Sequence, residues 1–372
     1  MTITKVTPSL VSDQVFGRRN LIINGDMRVA QRATSATVGP NGTGEGYQTL
    51  DRWNHGLNNA AVTTVSQSST VPTGEGFANS MKIDVTTADT SVASTDFWIM
   101  TTRLEGQDLQ RIKKGTSNAE KLTLSFWVRS TKTGVYVVEL EDKDNSTRSV
   151  SLSYTIASAD TWQKVELVFP ADTTGAFTND NNESLRIVWW LVAGSNYSSG
   201  TLNTTWGSQT DANRAVGQVN LFDSTSNEYY ITGVQLEVGD KASPFEHLTF
   251  DEQDSLCKRY YQQYSGFHAM AMWTYGRSNG SMQFVLEKEM RAKPTFSYSG
   301  TLGSLQSESH CGIYESDWVT ISSITAGSAS SAYNSRMVRI DSSHPSSTFA
   351  SANVAVGFYA GSSFFLIFDA EL

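Results

Sequence analysis

Residues 121–129, KLTLSFWVR, set Leu122, Leu124, Phe126 and Val128 at every second position, with Thr123, Ser125 and Trp127 between them. Successive strand side chains point to opposite faces, so this spacing gathers the apolar residues on one side of a pleated ribbon, which a helix of 3.6 residues per turn does not do. The pattern returns in WQKVELVF, where Val165, Leu167 and Phe169 align, and in EYYITGVQLEVG, where Tyr230, Val234, Leu236 and Val238 share one predicted face. In LRIVWWLV it is apolar on both sides: Leu185, Ile187, Trp189 and Leu191 face one way, Val188, Trp190 and Val192 the other. Such a strand is either central and covered twice or presents its aromatics to a partner. Short runs parted by Gly, Ser, Thr and Asn turn signals predict an all-β chain of the sandwich or barrel type.

Charged residues are only 17% of the chain and hydrophobic residues 39%, so neutral polar side chains must cover most of the surface. That suits sheet faces and turns better than long charged helices. At roughly 150 residues per domain, a chain of 372 predicts two or three units. Residues 1–19 have little periodicity and contain Pro8, Gly17, Arg18 and Arg19, which predicts an extended arm docked on a neighbouring chain. The first folded unit is expected over 20–247, closed by Gly239, Asp240, Ser243 and Pro244, and the second over 248–372. The second opens on Thr249-Phe250-Asp251-Glu252, the spacing of a capping box. Leu256 with Tyr260, and Cys257 with Tyr261 and Tyr264, then predict a short amphipathic helix running to Gly266. Alternation resumes in SMQFVLEK, MVRI, NVAVGFYA and SFFLIFDAEL, a smaller β domain whose last strand is expected to be paired.

Several functions are disfavoured. With 28 Lys and Arg against 37 Asp and Glu, and no basic stripe, nucleic-acid binding is not expected. No apolar run approaches the length of a membrane span, and MTITKVTPSLVSDQVFGRR lacks the centre of a secretory signal, so neither membrane insertion nor export is expected. The six Asn-x-Ser/Thr sites then read as chance in an Asn-, Ser- and Thr-rich chain. Cys257 and Cys311 leave one bridge open as a possibility but suggest no zinc site. The loop GPNGTGEG at 39–46 lacks the Lys-Ser/Thr of a phosphate loop and reads as a flexible turn. Hydrolysis needs paired carboxylates or a nucleophile beside a base. The best pairs are Glu105 with Asp108, and Glu139 with Glu141, which share a face that a solvated sheet explains more simply. His55, His247, His268, His310 and His344 are scattered. Asp26, Asp51 and Glu237 are candidates for a structural calcium, against solvated carboxylates at turns as the ordinary case.

Three stretches carry a resemblance: NLIINGDMRVAQR with its downstream YQTLDRW, LSFWVRSTKTGVYVVEL with TWQKVELVFPADTTG, and ITGVQLEVGDKASPFEHLTFDEQDSLCKRYYQQY. Together they resemble a family of tailed-phage virion proteins, common in phages of marine bacteria and cyanobacteria, of tail-fibre or carbohydrate-binding-module-like type. The resemblance implies a jelly-roll β-sandwich, then a variable C-terminal β domain, in a chain that is often a homotrimer. It leads to the expectation of a tail-fibre or spike subunit assembled in the host cytoplasm, holding other virion proteins through its arm, followed by the jelly-roll domain, with the terminal β domain facing outward for host-surface glycans. Exposed rings that stack on pyranoses are the physical means of such binding. The candidates are Trp98, Trp127, Trp190, Tyr197 and Trp206, each with core or subunit interface as its competing fate; Trp206, in NTTWGSQ, is the least easily explained as core. The competing functions are a purely structural head- or tail-decoration protein and a polysaccharide depolymerase; no catalytic residues are assigned.

Overall fold

In a computed structural model, the structure describes residues 18–266, 270–274, 279–302, 310–314, 318–319, 321–326, 335–343 and 355–372. Residues 1–17 of the expected arm lie outside the described residues. The chain divides into two compact units, residues 1–253 with Leu372, and residues 254–371.

The first unit runs β1 (Ser35–Val38), β2 (Asn54–Asn58), β3 (Val62–Ser68), β4 (Ser80–Thr87), β5 (Phe97–Glu105), β6 (Leu122–Ser130), β7 (Gly134–Asp142), β8 (Arg148–Ile156), β9 (Gln163–Phe169), β10 (Glu183–Ala193), α1 (Ser195–Ser198), β11 (Gly207–Ser208) and β12 (Glu228–Val238). These strands form two six-stranded sheets, β1-β3-β4-β12-β6-β9 and β11-β8-β7-β10-β5-β2, here called the front and back sheets. Consecutive strands cross repeatedly from one sheet to the other and every pair is antiparallel, the jelly-roll arrangement of a β-sandwich.

The alternating residues explain the closure. Leu122, Leu124, Phe126 and Val128 point inward from the front sheet, with Val165, Leu167 and Phe169 from its edge. They meet Trp98, Met100, Tyr136, Val138, Leu140, Ile187 and Trp189 from the back sheet. Phe126 lies edge-on to Tyr154 at 5.2 Å and to Trp189 at 6.0 Å, and the buried hydroxyls of Tyr154 and Tyr229 satisfy each other at 3.0 Å. Each such ring contributes on the order of 2–3 kcal/mol by leaving water.

The strand that is apolar on both sides, β10, is central between β7 and β5. Its outer face is covered by residues of this same unit, so the first of the two expected alternatives holds. One face assignment is overturned. Tyr230 faces outward while Val234, Leu236 and Val238 face the core, because the pairing of β12 with β6 slips between Thr232 and Gln235. Gly233 makes that bulge with φ +62°, and a Cβ there would lie 2.5 Å from the Phe77 ring. The 39–46 loop is a tied turn: Gly39 N–H donates to Thr43 O at 2.7 Å and Glu45 accepts from Leu57 N–H at 2.9 Å.

Helix α2 spans Phe250–Cys257, with Thr249 and Glu252 capping it reciprocally: Glu252 accepts from Thr249 N–H at 2.9 Å and Thr249 Oγ1 from Glu252 N–H at 3.3 Å. It ends well before Gly266. Residues Tyr261–Tyr264 form instead the strand β13, since pairing with 366–369 supplies a full ladder that a continued helix forgoes.

The second unit continues with β14 (Met270–Thr274), β15 (Asn279–Val285), β16 (Thr295–Ser299), β17 (Thr301–Leu302), β18 (His310–Tyr314), β19 (Trp318–Val319), β20 (Ser323–Ala326), β21 (Met337–Ser343), β22 (Ala355–Ala360) and β23 (Phe365–Asp369). A three-stranded sheet, β13-β23-β16, pairs the last strand on both edges as expected; the remaining strands run β17-β18-β22-β14-β15-β21-β20 with β19 on β18. Met272, Phe284, Ile313, Ile340, Phe358, Leu366 and Phe368 fill its separate core, and Cys257 is buried. The Cys311 side chain lies outside the described residues.

Candidate functional site

The five aromatic candidates go to four different places. Trp98 points inward from β5, fully buried, 5.1 Å from the His55 ring and 5.5 Å from Phe222. It presents no face to a ligand, and its parity with Met100 and Leu104 in FWIMTTRLE is the sequence signal of that inward position. Trp206 is half-buried at the margin of the core: its N–H donates to Pro170 O at 2.8 Å, its ring lies 5.5 Å from Lys114 Nζ, and it packs against core residues.

Trp190 and Tyr197 do come together, 5.4 Å apart, on the outer face of the back sheet. That face is closed by the excursion of residues 194–227 between β10 and β12. Trp190 is buried beneath Tyr197 and beneath the Arg214 guanidinium, 5.0 Å from its ring centroid, while half-buried Tyr197 stands edge-on to Phe97 at 5.8 Å.

Beside Trp190, the registers line Thr101, Val188, Glu139 and Ser151 in one row and Arg103, Arg186, Glu141 and Ser149 in the next. Glu139 and Glu141 therefore share a face, but not a solvated one: they are 0% and 3% exposed. Glu139 accepts from Trp190 Nε1 at 3.2 Å, Gln209 Nε2 at 3.2 Å and Arg214 Nε at 3.1 Å. Arg214 also grips Glu141, which Gln209 reaches at 3.0 Å and Lys143 and Arg186 flank at 3.5 and 3.6 Å. Burial pushes Glu139 up to about 7, with Arg214 opposing the rise and Glu141 adding to it. Burial acts the same way on Glu141, but Arg214, Arg186 and Lys143 outweigh it and hold this carboxyl below its ordinary value. Two carboxylates clamped on one guanidinium fasten the excursion to the sheet. In the other pair, Glu105 is fully buried and Asp108 exposed.

Trp127 is different. It lies half-buried on the outer face of the front sheet, opposite Thr232 on β12 and Lys164 on β9. Of the seven tryptophans of this unit, all described, it is the one whose side chain makes no ring contact and no hydrogen bond. The next row on that face carries Lys82, Tyr230 and Arg129, with Trp162 6.2 Å from Tyr230. Lys82 and Arg129 sit 5.8 and 5.0 Å from the Tyr230 ring, Lys82 pairs with Glu228 at 2.8 Å, and Arg129 with Asp160 at 3.0 Å. The bulge at Gly233 brings Phe77, Phe245 and His247 to the same sheet face, with centroids 4.9–5.3 Å apart. The result is a strip of rings edged by donors and acceptors. Trp162 and Tyr230 were missed because neither stands out in isolation; they join Trp127 only through register and the bulge.

The calcium candidates are engaged otherwise. Asp51 takes Gln31 N–H at 2.9 Å, Glu237 takes Ser243 N–H at 2.8 Å and its hydroxyl at 2.6 Å, and Asp26 faces Arg28 at 3.7 Å. Burial raises Asp26 against the pull of Arg28. Among the described residues no group of three or more His, Cys, Asp and Glu is placed to hold a metal ion. An oxygen cage does exist around a cation from the chain itself: buried Lys114 Nζ lies 2.5 Å from Asp142, 3.0 Å from Asp172, 2.8 Å from Thr174 O and 2.7 Å from Gly175 O.

No family model matches the chain, and no curated protein matches it. Among solved structures it is similar to the enzymatically active domain of tailspike protein 4 of bacteriophage CBA120, at 11% identity and TM-score 0.31 over 59% of this chain and 21% of that one. It is similar to a family 11 carbohydrate-binding module of a Clostridium thermocellum cellulase, at 12% identity and TM-score 0.28 over 55% and 95% of the two chains. A third is the CBM22-1 xylan-binding domain of Paenibacillus barcinonensis Xyn10C, at 10% identity and TM-score 0.26 over 50% and 87%.

Proposed function

We propose that this chain is an adhesin of a tailed-phage virion, a homotrimeric tail-fibre or spike subunit whose first unit binds host-surface glycans on the outer face of its front sheet. The observation that carries the reading is Trp127: a ring with an unspent face and an unspent N–H, set among Thr232, Lys164 and Arg129. An indole face takes the C–H surface of a pyranose, and the charged and hydroxyl groups beside it take its hydroxyls. The virion assignment rests on the resemblance of residues 20–264 described above. Weak sites repeated on a trimer, and on many trimers around a tail, multiply into firm attachment.

The test is a glycan array and a host-adsorption assay with the unmodified chain and Trp127→Ala. The reading expects array signals and adsorption that fall in the variant; signals and adsorption unchanged by the substitution would sink it. The depolymerase alternative has Glu139 and Glu141 as its best pair, and their shared engagement with Arg214 favours a fastening role instead. New reducing ends from host polysaccharide, lost in Glu139→Gln, would restore that alternative.

A further inference from the structure

The second unit carries an exposed tryptophan that neither alternation nor resemblance singles out. Trp273, on β14, is 55% exposed, while its neighbours Met272 and Thr274 are fully buried. A large ring in solvent on a regular strand, rather than in a loop, leaves a flat apolar surface that folding of the unit does not use.

Its surroundings are polar in an ordered way. Trp273 pairs with Ser281 on β15, Ser281 with Asp341 on β21, and Asp341 with Thr325 on β20. Directly opposed residues in antiparallel strands share a face, so these four form one row across four strands. With about 4.8 Å between strands, Asp341 stands roughly 10 Å from Trp273 and Thr325 roughly 15 Å. The adjoining row places Gln283 opposite Arg339. Arg339 Nη2 donates to Asp341 Oδ2 at 2.7 Å, which fixes the carboxylate, while Asp341 Oδ1 is buried with no hydrogen-bond partner.

We infer that the Trp273 face of the second unit is a saccharide-binding platform, with Trp273 stacking on a pyranose ring, and with Asp341, steadied by Arg339, and Gln283 taking hydroxyls along a short oligosaccharide. The chemistry favours a sugar over a second copy of the chain. Self-association buries surfaces whose centres are depleted of charge, whereas here the ring is bordered by hydroxyls, an amide and an ion pair, the set that reads vicinal hydroxyls. The ion pair with Arg339 orients the Asp341 carboxylate, whose side chain keeps 18% of its surface open at the edge of the row. The inference extends the adhesin reading to a second site but stands on different residues, so each can fail alone.

The experiment uses the full chain and the variants Trp273→Ala, Asp341→Asn, Trp127→Ala and Val285→Ser, the last removing an exposed apolar residue, 63% exposed, outside the row. Each is applied to a printed array of defined oligosaccharides, and every hit is titrated by indole fluorescence. The expected result is at least one saccharide whose affinity falls tenfold or more in both Trp273→Ala and Asp341→Asn but persists in Trp127→Ala and Val285→Ser, with thermal midpoints unchanged. Losses confined to Trp127→Ala overturn this inference and leave the first-unit reading standing; losses confined to the Trp273 row do the reverse. An array silent with the unmodified chain overturns both. If Trp273→Ala leaves every array signal intact and alters only the sedimentation coefficient, the face belongs to a second copy and the inference is wrong.

Discussion

Trp190 donates its indole N–H to the carboxylate of Glu139 across 3.2 Å, joining the outer face of β10 to that of β7 beneath the excursion that hides both. The contact decides what this face is for, because every donor around Glu139 comes either from the sheet or from the segment lying on it.

Removing Arg214 leaves buried Glu139 without its cation and Glu141 with only the more distant Lys143 and Arg186, so Arg214→Ala should lower the unfolding free energy by about 3–5 kcal/mol. Urea denaturation measures this, and limited proteolysis should show new cleavage within residues 194–227. Adding Glu139→Gln and Glu141→Gln to that variant should recover part of the loss. A triple variant no more stable than Arg214→Ala would exclude charge burial as the cause.

Lys114 acts as an internal counter-ion. Lys114→Ala leaves Asp142, Asp172 and the carbonyls of Thr174 and Gly175 facing one small space, a hard oxygen set. The variant should be less stable by about 3–5 kcal/mol, and millimolar calcium should raise its thermal midpoint while leaving the parent unmoved. An equal calcium response in the two proteins would show that the ion acts elsewhere.

Trp98 and Trp127 separate packing from binding. Trp98→Ala empties a core position and should cost about 3–5 kcal/mol, whereas Trp127→Ala should stay within about 0.5 kcal/mol of the parent while losing glycan affinity. Parallel melting curves and array titrations make the comparison, and a large destabilisation in Trp127→Ala would mark that ring as structural.

Burial holds the His55 imidazole down at about 3, against 6.5 in an open chain, and neither ring nitrogen has a hydrogen-bond partner. Between those values the unfolded chain binds the extra proton, so stability is whole above pH 6.5 and drains away as pH falls toward 3. The slope is about 1.4 kcal/mol per pH unit. Urea midpoints at pH 7 and pH 5 for the parent and His55→Phe should diverge, the parent losing about 2 kcal/mol more on acidification; parallel losses would discount this histidine.

Much of the sandwich was legible in the residues. Leu122 to Val128 and Val165 to Phe169 declare their inner face by alternation alone, and the capping box of α2 sits where Thr249 and Glu252 put it. What failed shares one cause, long-range pairing that a local pattern does not contain. Tyr230 lost its face to a bulge whose marker, Gly233, reads as an ordinary strand glycine. Tyr261 and Tyr264 keep helical spacing from Cys257, yet a strand a hundred residues downstream claims them. Trp190 looks like a presented ring until residues 194–227 are folded over it, and Trp273 gave no signal because a lone tryptophan in the apolar run MAMW resembles core.

The position of β12 has a consequence for how the sandwich is made. It fills the gap between β4 and β6, so until residues 228–238 arrive the front sheet is two fragments with raw facing edges. A nascent chain must therefore hold β1 to β11 in an incomplete shell, and the closing step joins segments more than a hundred residues apart, the kind of contact that makes β proteins slow to assemble. Shortening the chain ahead of that strand removes the keystone and leaves two open strand edges free to pair with other chains.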